Sequence, residues 1–213
     1  MDITWLGISC FRLRGRDGTV LTDPYAKAGG QSMGHPTADI VTISHRHSNH
    51  ANVAGVGGAP KVVDGPGEYE IGGIVITGIS TFHDAESGRK RGRNTAYLIE
   101  LEDVLVCHLG DIGHIPTTEQ IETMTDVDVL LVPVGGETTI NAAQAVEVVN
   151  LIEPRIVVPM HYGAGADTSK LDPVERFCRE MGVKEWQSQS KLTVTSTSLP
   201  EGPQLVILDQ KRA

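Results

Sequence analysis

The sequence predicts an α/β fold in which two β-sheets pack face to face, with helices on the outside. Three observations carry this. Short β-branched segments bounded by turn residues fill the first half, helical periodicity is more evident in the second half, and the late strands alternate with helices. "DITWLG", "CFRLRG" and "TVLTD" open the series of strands, with "GRDGT" supplying hairpin chemistry between the last two. "DIVTIS" at 39–44, "KVVD" at 61–64, "EIGGIVITGIS" at 70–80, "TAYLIEL" at 95–101 and "DVLVCH" at 103–108 continue it, rich in the residues that pleated, half-buried surfaces prefer. In "TTEQIETM", Thr117 followed by Gln120 predicts a capping box. "NAAQAVEVVNLI" places Val146, Val149 and Ile152 at helical spacing between the apolar strands "VDVLLVPV" and "RIVVPM", which implies parallel strands joined by a right-handed crossover. "DPVERFCREMG" predicts a third helix with Asp172 as N-cap, Pro173 in the first turn and Gly182 as the stop.

The chain of 213 residues is long enough for one well-buried core, and residues 1–213 are expected to form a single domain, with no repeat, low-complexity block or long linker dividing them. Hydrophobic residues at 39% and charged residues at 21% describe a soluble globule rather than a disordered chain. A net charge of −9 argues against general binding to nucleic acid or membrane surfaces, which favour basic proteins. The start, "MDITWLGISCFRLRG", lacks the pattern of a secretory signal, and no apolar run reaches the length of a membrane span. Cys10, Cys107 and Cys178 are an odd, scattered set, better suited to reduced thiols than to a disulfide framework. The expected location is the cytoplasm; oligomeric state is not legible.

The chemistry concentrates in the histidines. Of the eight, His35 and His114 read as ordinary core or surface residues. "TISHRHSNHAN", residues 42–52, is different: three imidazoles, His45, His47 and His50, follow directly on a predicted strand. His45 and His47 point the same way if the chain stays extended, and His50 needs a turn to return to them. Asn49 is expected to help by capping a helix that starts around "HANVAG". Three rings so close would need many separate partners in a purely structural role, so a metal is the better reading. Further donors follow other apolar runs: His83 after "GIVITGISTF", Asp111 in "DVLVCHLGD" and His161 in "RIVVPMHYG". Strand ends of this kind form the rims of active sites in layered sheets. Imidazole and carboxylate ligands suit zinc, and also manganese, iron or nickel. His83 competes with His108 for the third histidine position; lying three residues from Asp111, His108 fits better behind the ligands.

"SHRHSNH" resembles the His-x-His-x-Asp-His signature of the metallo-β-lactamase fold superfamily. Asp23 in "VLTDPY", His83, Asp111 in "HLGDIGH" and His161 in "PMHYG" follow in the family order, over residues 20 to 161. The chain is most similar to the small stand-alone branch that includes sugar-phosphate lactonase-like hydrolases, where "HLGD", "PVGG" and "PMHYG" occur together. The resemblance implies a four-layer αβ/βα sandwich of two mixed β-sheets with outer helices and a one- or two-metal centre at one rim. By transfer, His45, His47 and His83 would hold the first metal, Asp111 would bridge, and His50 with His161 would hold the second. Asp23 would be an acceptor behind a ligand histidine.

One letter departs from that pattern. Asn49 stands where the family has an aspartate that ligates the second metal and orients the nucleophilic water. An amide offers a weak carbonyl ligand and a donor, but no base. The expected function is a metal-dependent hydrolase that uses a metal-activated water. Two alternatives are a weakly active or non-catalytic metal-binding protein on the same scaffold, and a phosphodiesterase or nuclease, which the acidic surface disfavours. After His83, "DAESGRKRGRN" puts Arg89, Lys90, Arg91 and Arg93 within five residues, a local reversal of sign. Solvated loops often carry such runs; the sharper expectation is an anion-binding lip of Arg89, Arg91 and Arg93 for a small phosphorylated or carboxylated substrate.

Overall fold

Alternation along the first strands decides which side chains go inward. A computed structural model describes residues 1–26, 32–163 and 170–211. In β1 (Asp2–Gly7), Ile3 and Trp5 enter the main core, while Leu6 joins a smaller apolar cluster on the opposite face. β2 (Cys10–Arg14) and β3 (Thr19–Thr22) continue antiparallel, and β4 (Ile40–Thr42) and β5 (Lys61–Val63) then add in parallel. The second sheet begins with β6 (Gly67–Ile71), β7 (Ile74–Phe82), β8 (Arg93–Leu101) and β9 (Val104–His108) as an antiparallel meander. β10 (Val129–Pro133) and β11 (Ile156–Met160) extend it in parallel from β9. Two-residue strands follow: β12 (Ser188–Gln189), β13 (Leu192–Thr193), β14 (Gln204–Leu205) and β15 (Ile207–Leu208). The first sheet has the order β13-β1-β2-β3-β4-β5 and the second β14-β11-β10-β9-β8-β7-β6, with β12 and β15 paired separately.

Every residue of β10 and β11 is buried, as expected for strands covered on both faces. The helices are α1 (Thr118–Thr123), α2 (Ala142–Ile152) and α3 (Val174–Glu180). α2 buries Ala142, Ala145, Val148, Val149 and Ile152 as one stripe and packs on β10 and α3. Both sheets feed a common buried cluster running from Met1 to Leu208. No helix among the described residues is long and apolar enough to cross a membrane.

Local details differ from the sequence expectations in three places. Residues 67–82 form a hairpin rather than a single strand from 70, because Gly72 (φ 61°) and Gly73 (φ 84°) both adopt left-handed conformations that reverse the chain. α3 has Pro173 as its N-cap residue; Asp172 instead grips the guanidinium of Arg176 with both carboxylate oxygens, at 3.0 and 2.9 Å. Asn49 caps nothing, since the short 3₁₀ turn that follows the histidines spans Val53–Gly55 behind Asn52. The capping box at Thr117 and Gln120 is present, and a second one, Asn141 with Gln144, starts α2.

Candidate metal centre

β3, β4, β7, β9 and β11 all deliver polar residues to one rim of the two sheets. The strands run parallel within each sheet, directly or through the antiparallel β8, so their C-terminal ends lie on the same side. Main-chain hydrogen bonds tie the sheets together there: Thr95 N–H donates to the Ser44 carbonyl at 2.8 Å, and His161 N–H to the Ile8 carbonyl at 3.1 Å.

The loop after β4 brings three rings together. His45 Nε2 and His47 Nδ1 lie 3.0 Å apart, and a turn over residues 48–50, closed by His50 N–H on the His47 carbonyl, returns His50 to them. His83 follows β7 directly. The ring nitrogens of His45, His47 and His83 fall within 4.8 Å of one another, and so do the donor atoms of His50, Asp111 and His161. Asp111 sits in the middle. Its Oδ2 lies 3.3 Å from His161 Nε2, 3.4 Å from His50 Nε2, 3.8 Å from His83 Nε2 and 3.9 Å from His45 Nε2. All of these are buried except His47, which is exposed and marks the open side of the centre.

Asp23 organises the rings from behind. Its Oδ1 accepts from Ser44 N–H at 2.7 Å, and its Oδ2 from Ser44 Oγ at 2.6 Å and His50 Nδ1 at 3.0 Å. With the Ser44 proton committed to Asp23, His45 Nδ1 is the donor in its 2.9 Å contact with Ser44 Oγ. That network leaves the inner Nε2 of His45 as a lone-pair donor and aims the inner Nε2 of His50 at Asp111. Burial opposes a charge on His50, but Asp111 and Asp23 raise its pKa, so this nitrogen favours a positive partner, proton or metal. Burial opposes the charge of Asp23, but the His50 hydrogen bond and nearby imidazoles hold its carboxyl below the ordinary range. Burial pushes His45 down to about 3 and lowers His83 and His161, which favours the neutral, ligating form of these rings. For Asp111 too burial works against the charge, yet the surrounding histidines, His161 foremost, hold it well below the usual carboxylate range.

This donor set fits a divalent metal. His50 Nε2 is buried, faces a carboxylate and has no hydrogen-bond partner, the costly arrangement that a bound cation relieves. His45 Nε2 and His47 Nδ1, 3.0 Å apart, share a hydrogen bond whose proton a bound cation would replace. Asp23 also approaches His45 and His50 closely enough to be a ligand, but its oxygens already accept three hydrogen bonds.

His108 is turned elsewhere. Its Nε2 donates to the Ser9 carbonyl at 2.8 Å and its Nδ1 accepts from Gly110 N–H at 3.3 Å, which saturates the ring. Ser9 then reaches Asp111, its Oγ donating to Oδ1 at 3.2 Å. Asn94 Oδ1 accepts from Asp111 N–H at 3.0 Å, while its amide donates to Thr81 Oγ1 and the Leu109 carbonyl. Neither Ser9 nor Asn94 stands out in the sequence, because a serine in a β-turn and an asparagine at a strand start are commonplace. Gly110 has a sharper reason: at φ 58°, a Cβ there would come within 2.5 Å of both Asn94 Oδ1 and Ser44 Cβ. His114 braces the main chain through Phe82 N–H and the Ile115 carbonyl. Asn49 lies half-buried in the turn between His47 and His50.

The basic run forms the loop between β7 and β8, immediately beyond His83. Asp84 holds it from inside, accepting from the main-chain N–H groups of Glu86, Gly88, Lys90 and Arg91 at 2.7–3.0 Å. Desolvation would raise its pKa, but these four donors outweigh it and bring it to about 2. Arg93 pairs across the hairpin with Phe82, next to His83, and the charge of Arg91 acts on the His83 ring. Arg89, Arg91 and Arg93 are all exposed.

Comparison with known proteins agrees with this geometry. Residues 2–161 match the family described as Beta-lactamase superfamily domain. A UPF0173 protein of Pyrococcus furiosus is 32% identical, with 85% of this chain and 90% of the relative covered. A UPF0173 metal-dependent hydrolase of Pyrococcus horikoshii is 29% identical, over 86% and 93% of the two chains. A crystal structure from Thermotoga maritima, assigned to the Zn-dependent hydrolases of the metallo-β-lactamase superfamily, superimposes with a TM-score of 0.81 at 36% identity and 97% coverage of both chains. With the family matched over most of its length and a histidine–aspartate cluster at the rim of two packed sheets, the chain belongs to the metallo-β-lactamase superfamily, among relatives named metal-dependent hydrolases.

Proposed function

We propose that this metal-dependent hydrolase cleaves an ester or lactone bond in a small phosphorylated or carboxylated substrate, with zinc as its metal. The observation that carries the reading is the convergence of six donor residues beside a cationic loop. His45, His47 and His83 would hold one ion, and His50 and His161 a second, with Asp111 shared. When bound, zinc supplies Lewis acidity and lowers the pKa of water towards neutrality. The chain does the rest. Asp23 accepts the hydrogen bond from His50 Nδ1–H and so keeps the inner nitrogen turned to the ion. Asp111 Oδ2, kept ionised among the rings, accepts a hydrogen bond from the attacking water and orients it. Asn49 neither takes a proton nor adds charge, so a second ion would be held by less anionic charge than an aspartate would provide.

Arg89, Arg91 and Arg93 bind the anionic end of the substrate on a loop that Asp84 keeps shaped. A panel of phosphorylated lactones, thioesters, phosphodiesters and β-lactams, with metal content measured on the same sample, tests the reaction class. Arg89→Gln with Arg91→Gln should raise KM for anionic substrates by about tenfold or more, the worth of a charge-assisted hydrogen bond, and leave neutral substrates unaffected. Equal effects on both would sink the anion-binding lip. Asn49 also favours a second reading, a metal protein with little turnover; full metal loading without activity on any class in the panel would select it.

A further inference from the structure

The outer face of the first sheet changes character along its length. Near the metal rim it is apolar, with Leu6 and Cys10 packed in the smaller cluster. Towards the far end of the β1–β2 hairpin the outward positions become Thr4 and Asp2 on β1, opposite Arg12 and Arg14 on β2. Phe11 and Leu13, which alternate with the arginines, face the main core. The segment before β13 adds Lys191, and the stretch after β15 adds Asp209 and Lys211, anchored by Lys211 N–H on the Trp5 carbonyl at 2.9 Å. Together they line a cavity of about 370 Å³.

Four cations thus meet two carboxylates in a chain of net charge −9. One carboxylate, Asp2, is already occupied by Lys191 Nζ at 2.8 Å and Thr193 Oγ1 at 2.6 Å. Among the described residues, no carboxylate lies within ion-pair distance of Arg12, Arg14 or Lys211. Arg12 Nε is buried and has no hydrogen-bond partner. A guanidinium keeps its charge at any physiological pH, and a buried N–H left without an acceptor is destabilising. The guanidinium as a whole is half-buried and lines the cavity, with its Nε enclosed and unmet, so an anion entering the cavity reaches it. Two arginines side by side favour the planar, bidentate recognition of phosphate oxygens over a single carboxylate, and the cavity is of the size that small ligands fill.

We propose that this face carries a binding site for a phosphate-bearing small molecule, with Arg12, Arg14, Lys191 and Lys211 around the anion. The site is separate from the metal centre. Thr4 and Arg12 stand roughly 10 Å, and Asp2 and Arg14 roughly 16 Å, along the strand from the Gly7 end that approaches the metal rim, at about 3.3 Å per residue.

Amide chemical shifts of the metal-loaded protein, followed while inorganic phosphate or ribose 5-phosphate is added, locate any binding residue by residue. The expected result is a saturable shift at residues 4, 12, 14 and 191. The half-saturation concentration should rise about tenfold or more in Arg12→Gln and in the exposed Arg14→Gln. Tighter binding of the sugar phosphate than of the inorganic ion would identify an organic phosphate as the ligand, and equal binding would identify the free ion. Shifts confined to residues 45–50 and 83–93, or half-saturation unchanged in both variants, would overturn the proposal. Because Arg14 is exposed, its variant keeps the test decisive if Arg12→Gln fails to fold.

Discussion

Asp23 and Asn49 bracket what single residues contribute to the candidate centre. Asp23 touches no reacting atom, yet it accepts three hydrogen bonds that set the tautomers of His45 and His50. It does so at φ 39°, a left-handed conformation that asparagine tolerates, so Asp23→Asn preserves the backbone while removing the charge and one acceptor. Metal affinity, measured by chelator competition, should fall about 10–100-fold. Unchanged affinity would show that the rings are oriented by packing alone. Asn49→Asp should act in the opposite direction and raise the metal content per chain, because it adds a carboxylate to the turn between His47 and His50. The same content in both proteins would mean that Asp111 and the histidines suffice for the second ion. The sequence pointed to His45, His47 and His50 because they crowd into one turn. It favoured His83 over His108, which lies three residues from Asp111, and the structure turns the His108 ring to the Ser9 carbonyl.

Elements were legible where local chemistry is self-contained. The capping box at Thr117 and Gln120 needs only four residues, and it forms as expected. The β6–β7 hairpin was obscured because "EIGGIVITGIS" is apolar on both sides of its glycines, so hydrophobicity alone does not mark the reversal. The turn depends on Gly72, at φ 61°, with open space around the missing side chain. Gly72→Val therefore tests conformational strain without a clash, and should cost about 1–2 kcal/mol in a denaturant titration. A neutral result would show that the hairpin accommodates another turn type. Asp172 was misplaced for a related reason: it has the chemistry of an N-cap, but its nearest strong partner is the Arg176 guanidinium one turn on.

At the scale of the molecule, the candidate ligands come from both sheets. His45, His47 and His50 follow β4 of the first sheet, while His83, Asp111 and His161 follow β7, β9 and β11 of the second. A bound ion would therefore cross-link the sandwich at one rim. Ligand at a hundred times its Kd stabilises a fold by about 2.7 kcal/mol. For a chain of this size that corresponds to a Tm lower by about 5–10 °C after metal removal, restored by adding zinc back. A melting temperature indifferent to chelation and zinc would contradict a metal held between the sheets.

The sequence by itself determined the α/β class, the strand ends that carry polar residues, and the identity of the candidate donors, because periodicity, turn chemistry and clustered imidazoles are local properties. Tertiary structure alone decided how those donors meet. Asp111 becomes central only when four histidines from three other strand ends, in two sheets, converge on its Oδ2. Ser9, Ser44 and Asn94 acquire their roles only through partners as distant as 102 residues along the chain. Arg12 and Arg14 become a cationic cavity only when the segments around 191 and 211 fold beside them. The physical reason is the same in each case: a hydrogen bond or a charge contact acts over a few ångströms in space, and the chain pattern records only which groups are available to make it.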